Sequence, residues 1–249
     1  NNTINATNAY NLIIYGTFSH FIHTIQNNTA NGKPLIYLKS LKNQLLNFSS
    51  QQLGSLIVVN STNLTITNLL LSDDGIVMMS SHLNNIKNSI ISTSKNGVGA
   101  VSLRYGNNNI FSYNTISSTA GNLYIYLTQN TVFLNNNISG NQPLFYFSNN
   151  LQFINNTFSF LYDLYGQGTS LKFINNILNI PGFNVGSSAP YSCDYTIFQN
   201  NIFYSLNYGI SFDGCSHSLI DSNILQTELV GISIRDNINN TIINNSINA

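Results

Sequence analysis

Ser170-Leu171-Lys172-Phe173-Ile174-Asn175-Asn176-Ile177-Leu178 is the stretch whose reading decides the fold. Apolar and polar residues alternate around an asparagine, and a period of two belongs to strands. The unit returns as Ile66-Thr67-Asn68-Leu69-Leu70, Ile86-Lys87-Asn88-Ser89-Ile90, Asn114-Thr115-Ile116, Leu134-Asn135-Asn136-Asn137-Ile138 and Ile154-Asn155-Asn156-Thr157-Phe158. It continues as Phe198-Gln199-Asn200-Asn201-Ile202, Ile220-Asp221-Ser222-Asn223-Ile224 and Ile243-Asn244-Asn245-Ser246-Ile247. With Asn68, Asn88, Asn114, Asn136, Asn156, Asn176, Asn200, Ser222 and Asn245 as markers, the steps are 20, 26, 22, 20, 20, 24, 22 and 23 residues. A period of this size means a solenoid in which each repeat covers the next.

A second strand precedes the unit in most repeats, for example Leu123-Tyr124-Ile125-Tyr126-Leu127 and Gly209-Ile210-Ser211-Phe212, and no helical pattern lies between repeats. The fold expected is all-β: a right-handed parallel β-helix of roughly nine to ten rungs with an N-terminal cap. The markers, with Ser222 substituting once, should form an inward ladder of amides about 4.8 Å apart at a bend, where asparagine also tolerates left-handed backbone.

Residues 1–30 do not match the repeat and read as the cap, with 31–249 as the β-helix. Phe18, Phe21, Ile22 and Ile25 follow Thr17 at helical spacing, which suggests a short helix over the open end of the solenoid. His20 and His23 lie on it as polar cap residues, without a third metal ligand. The last unit is as apolar as interior ones, so either the chain continues or another subunit, a copy of itself or a different one, covers that end.

Net charge is zero and only 6% of residues are charged, which argues against a nucleic-acid partner. So few carboxylates make stability nearly independent of pH, which suits an acidic exterior. No apolar run reaches membrane-spanning length. Neither an initiator Met nor a signal peptide is present, so a processed or excised module is expected. Sequons at Asn1, Asn5, Asn27, Asn47, Asn60, Asn63, Asn137, Asn155, Asn239 and Asn244 point to N-glycosylation and to an extracellular, cell-surface location.

From Asn31 the chain reads Asn-Gly-Lys-Pro-Leu-Ile-Tyr-Leu-Lys, and later Val59-Asn60-Ser61-Thr62-Asn63-Leu64-Thr65-Ile66. Over residues 31–70 it resembles the NosD-like branch of right-handed β-helix proteins, the carbohydrate-binding proteins and sugar hydrolases of archaeal and bacterial surfaces. The resemblance implies the fold and an exported module, and it transfers no catalytic residue. Copper delivery, the namesake role of that branch, needs soft or imidazole ligands, and Met78, Met79 and His82 are too few. No cofactor and no metal site is expected.

Two constellations could carry chemistry. Asp213 and Asp236 each lie nine residues before a marker, so they should stack on adjacent rungs and could act as a carboxylate pair; both also sit in ordinary turn dipeptides. Ten before the markers runs an outward stripe of Met78, Arg104, Tyr126, Tyr146, Phe212 and Arg235, with Tyr124 beside it. Arg104, Tyr124, Tyr126 and Tyr146 would meet a sugar or protein partner; tyrosines that simply pack along a sheet are the plainer reading. Cys193 and Cys215 each lie seven before a marker, on consecutive rungs, which brings their Cα atoms to disulfide distance. Their column (Ser81, Asn107, Gln129, Asn149, Thr169) is polar and reads as a turn column.

The function expected is an extracellular glycoprotein acting as a structural or adhesive module of an envelope, filament or virion, able to bind glycans. The alternative is a polysaccharide-cleaving enzyme using Asp213 and Asp236.

Overall fold

A computed structural model describes residues 2–6, 11–14, 16–93, 95, 99–119, 123–186 and 193–249. The chain winds as a right-handed parallel β-helix of ten coils. Each coil contributes one strand to each of three parallel sheets, here called A, B and C. Sheet A begins with two extra strands: β1 (Thr3–Ile4) runs parallel to β2 (Asn28–Ala30), which pairs antiparallel with β3 (Lys33–Lys39), the first strand of the helix proper.

Strand alternation sends one set of side chains into a single core. In sheet B the inward column is Ile66, Ile86, Phe111, Phe133, Phe153, Phe173, Phe198 and Ile220, all fully buried. Its five phenylalanines stack ring on ring at 4.8–5.0 Å, close to the spacing of the coils. Each such ring contributes about 1.5–3 kcal/mol of burial, and stacking adds roughly 0.5–1.5. In the tenth coil the corresponding Ile242 is 43% exposed.

The bend between sheets B and C holds the amide ladder, built from Ser89, Asn114, Asn136, Asn156, Asn176, Asn201, Asn223 and Asn245. Asn136 shows the pattern. Its backbone N–H and its Nδ2 both donate to Asn156 Oδ1, at 2.9 and 3.0 Å, and Nδ2 donates again to the Phe111 carbonyl at 2.9 Å. The side chain thus satisfies a backbone N–H that leaves the strand ladder at the bend. Asn68, Asn88, Asn200 and Ser222, expected as ladder members, sit one residue earlier. They have φ between 51° and 56°, in one column with Tyr113, Asn135, Asn155, Asn175 and Asn244. A left-handed residue followed by an inward one makes the bend, so two neighbouring columns divide roles that the sequence reading gave to one.

The other bends repeat the device with shorter ladders, such as Asn84 to Asn109 and Ser61 to Ser81. The cysteines lie in the second of these columns. Cys193 and Cys215 form a disulfide with Cα atoms 4.7 Å apart. Both are fully buried in the main core, so theirs is an inward column and not the polar turn column expected. Its companions are Ser81, Gly106, Thr128 and Ser148, one residue before Asn107, Gln129 and Asn149. Residues 187–192, just before Cys193, fall outside the described residues, as does the sequon asparagine Asn1.

The N-terminal segment does not simply close the end. Phe18–Phe21 is one turn of 3-10 helix, and Phe21 is buried on the outer face of sheet A against Ile57, Val59 and Met79. Asp74 anchors the segment: its carboxylate accepts from the backbone N–H groups of Asn11 and Leu12 and from Asn11 Nδ2. Lys95, 3% exposed, lies 3.0 Å from the same carboxylate. Asp73 pairs with Lys33 at 3.0 Å. The segment is therefore a strap along the flank of the first coils, placed there because the outward residues of those coils are apolar.

Candidate functional site

Sheet A presents two outward columns. One runs through Tyr37, Ile57, Val77, Ser102, Tyr124 and Leu144, then Tyr165, Asn184, Ser211 and Ser233. The other runs through Val59, Met79, Arg104, Tyr126 and Tyr146, and farther on through Gly186, Asp213 and Arg235. Both change character along the axis. Under the strap they are Ile57, Val59, Val77 and Met79, and from Ser102 and Arg104 onward tyrosine, serine, amide and charge predominate, with Leu144 and Gly186 among them. Met78 and Phe212, expected in this stripe, are fully buried core residues. Met79 and Asp213 hold the outward places.

The first part of the open face is an aromatic platform. Tyr124 lies 6.1 Å from Tyr126 and 6.2 Å from Tyr146, ring centre to ring centre. Tyr105 and Phe147 stand edge-on to Tyr126 at 5.7 and 5.8 Å. The Arg104 guanidinium lies 5.0 Å above the Tyr124 ring, a cation–π contact. Burial raises the Tyr124 phenol above its ordinary pKa by more than Arg104 lowers it. Tyr105 and Phe147 were not singled out from sequence. Both occupy left-handed bend positions (φ 53°), where an aromatic side chain is unusual and could have been the signal.

Tyr146 passes from the platform into a cleft of ≈ 600 Å³. Tyr165 and Tyr208 add aromatic surface, Gln167 and Asn184 amides, and Ser211 and Ser233 hydroxyls, with Asp213 and Arg235 at the far end. Gly186 forms the floor. Its φ is +99°, and a Cβ there would meet the Asp213 carbonyl oxygen at 2.0 Å and Cys193 Sγ at 2.9 Å. The disulfide lies directly beneath, with Cys193 Sγ 3.9 Å from that carbonyl.

Asp213 and Asp236 do not share a column. Asp213 registers with Arg235, and Asp236 follows on a left-handed bend (φ 55°) with its side chain 84% exposed. Arg235 Nε lies 3.5 Å from Asp213 and 4.0 Å from Asp236. Asp213 is the one carboxylate among the described residues lining the cleft. The expected pairing came from counting back from Ser222 instead of Asn223.

The described sequon asparagines (Asn5, Asn27, Asn47, Asn60, Asn63, Asn137, Asn155, Asn239 and Asn244) are all exposed. None lies in the outward columns of sheet A. Asn60 and Asn63 donate to Ser40 and Asn43 one coil below. His20 bonds locally to Thr17, and among the described residues no group of three His, Cys, Asp or Glu side chains is placed to hold a metal ion. Among the described residues no helix is long and apolar enough to cross a membrane.

Among solved structures the chain is similar to the surface protein and adhesin PfbA of Streptococcus pneumoniae. The TM-score is 0.52 at 11% identity, over 89% of this chain and 78% of that one. It is also similar to the A-module of the mannuronan C-5 epimerase AlgE6 of Azotobacter vinelandii, with a TM-score of 0.46 at 11% identity, over 99% and 89%. At such identities the likeness is one of fold. No curated protein matches by sequence. The family model for the right-handed β-helix region matches residues 24–178, more than half of the chain, and the chain belongs to that family.

Proposed function

We propose that this chain is an extracellular β-helix module that binds glycans in an adhesive role, through the open face of sheet A. The observation that carries the reading is the change along that face, from apolar residues under the strap to a tyrosine platform opening into a polar cleft. Tyrosine rings offer flat apolar surface to sugar C–H faces, and amides and hydroxyls beside them offer donors and acceptors. The disulfide favours an oxidising compartment, and the fold is shared with a bacterial surface adhesin. Sequons on the N-terminal segment, at the bends and on sheets B and C leave the tyrosine face clear, so the protein can be glycosylated and still use it.

Cleavage of polysaccharides is the second reading, favoured by the position of Asp213 in an open cleft beside tyrosines. It lacks a second carboxylate there, because Asp236 lies on an exposed bend, and Arg235 already engages Asp213. Affinity electrophoresis in gels containing polysaccharides tests binding. Retardation by at least one polysaccharide, lost in Tyr124→Ala/Tyr126→Ala with the fold intact, is the expected result; migration unchanged by every polysaccharide overturns it. Release of reducing ends, abolished by Asp213→Asn, would instead establish the enzyme.

A further inference from the structure

We infer that the cleft selects uncharged, hydroxyl-rich sugars over acidic ones; this rests on the glycan-binding reading and adds the charge class of the ligand. Arg235 is the one cation among the described residues lining the cleft, and it lies 3.5 Å from Asp213 and 4.0 Å from Asp236. A third carboxylate stands behind the wall: Asp163 Oδ2 accepts from Asn184 Nδ2 at 3.2 Å. Two carboxylates thus lie within ion-pair distance of the one positive charge, and a third sits beside Asn184. A uronate or sulfate entering the cleft would lie beside Asp213, and Arg235, whose charge Asp213 and Asp236 already offset, would do little to relieve the repulsion between like charges.

A neutral sugar meets no such barrier. Asp213 offers carboxylate oxygens to sugar hydroxyls, and Ser211, Ser233 and Gln167 both donate and accept. Tyr165 and Tyr208 supply ring faces. The size of the cleft lies within the range of small-ligand sites. Gly186 is required in the floor, because any Cβ there would run into the Asp213 carbonyl and Cys193 Sγ beneath it.

The test uses the full chain, with glucan-, mannan- and xylan-derived oligosaccharides against oligogalacturonate and oligoalginate, titrated at low and moderate salt. Neutral oligosaccharides are expected to bind at least about tenfold more tightly than acidic ones. Asp213→Asn, a near-isosteric change checked by its melting temperature, should raise affinity for the acidic chains by about tenfold in a salt-sensitive way. Adding Arg235→Gln should remove that gain. Acidic chains bound more tightly than neutral ones by the unaltered protein, or no gain from Asp213→Asn, would overturn the inference and leave glycan binding standing. Binding of neither class would overturn the glycan reading and the inference together.

Discussion

Asn155 and Asn156 are chemically identical neighbours with opposite tasks. Asn155 turns the backbone at φ 55° with its side chain in solvent. Asn156, buried, accepts two hydrogen bonds from Asn136 and donates to Asn176 and to the Phe133 carbonyl. Asn156→Ala leaves buried donors and an acceptor unpaired and should cost at least about 3 kcal/mol. Asn155→Ala should cost about 1–2 kcal/mol for the left-handed backbone, and Asn155→Gly much less. Urea midpoints of the three variants check the order; equal losses at both asparagines would contradict it. Sequence alternation revealed the strands and the ladder's existence, because inward apolar residues flank it on both sides. It did not tell which residue of each pair points inward, since asparagine suits both places. One wrong choice at Asn88 and Ser222 moved the stripe onto Met78 and Phe212 and paired Asp213 with Asp236. The cysteines escaped because both were counted from markers displaced by the same one residue.

At the scale of elements, the strap is held by chemistry that the chain uses nowhere else among its described residues: a buried ion pair. Asp74 is 1% exposed and gathers Lys95 with the backbone of Asn11 and Leu12. Asp74→Asn removes the partner of a buried ammonium, a change that costs about 3–5 kcal/mol. Thermal melts should show the loss, and limited proteolysis should cut ahead of residue 30 before the coils. A melting temperature matching the parent protein would refute the anchor. The strap's position on the flank could have been read from Leu56-Ile57-Val58-Val59, a strand segment without alternation and so buried on both faces. The spacing of Phe18, Phe21, Ile22 and Ile25 suggested a helix instead, but Ile22 is 53% exposed and only one 3-10 turn forms.

Over the whole molecule, eight Asp and Glu, eight Lys and Arg and four His residues leave little to titrate. The Asp221 carboxyl is held below its ordinary value, chiefly by the Ser222 hydroxyl and further by Gln199 and Asn244. Its contribution is complete above the usual aspartate range and is lost as pH falls through the depressed value. Burial raises Tyr37 and Tyr124 above 10.0, so the folded state holds those phenol protons more tightly and stability falls as pH rises past 10.0. Between these limits the melting temperature should stay level from about pH 5 to 9. Melts across that range check it, and a fall of more than about 5 °C inside it would contradict the prediction.

Because the hydrogen bonds between coils run along the axis, tension applied along that axis loads the coil interfaces in series. Coils would peel from an end one at a time, each lengthening the tether. The Cys193–Cys215 link interrupts this, since the 22-residue span between the cysteines cannot be drawn out while the bond is closed. Single-molecule stretching should therefore give a fully extended length shorter by about 75 Å when oxidised than when reduced. Equal lengths in the two states would show that the link bears no load. A tether attached through such a rod keeps a fixed remnant between the eighth and ninth coils, beneath the Asp213 end of the cleft, when the rest has been pulled straight.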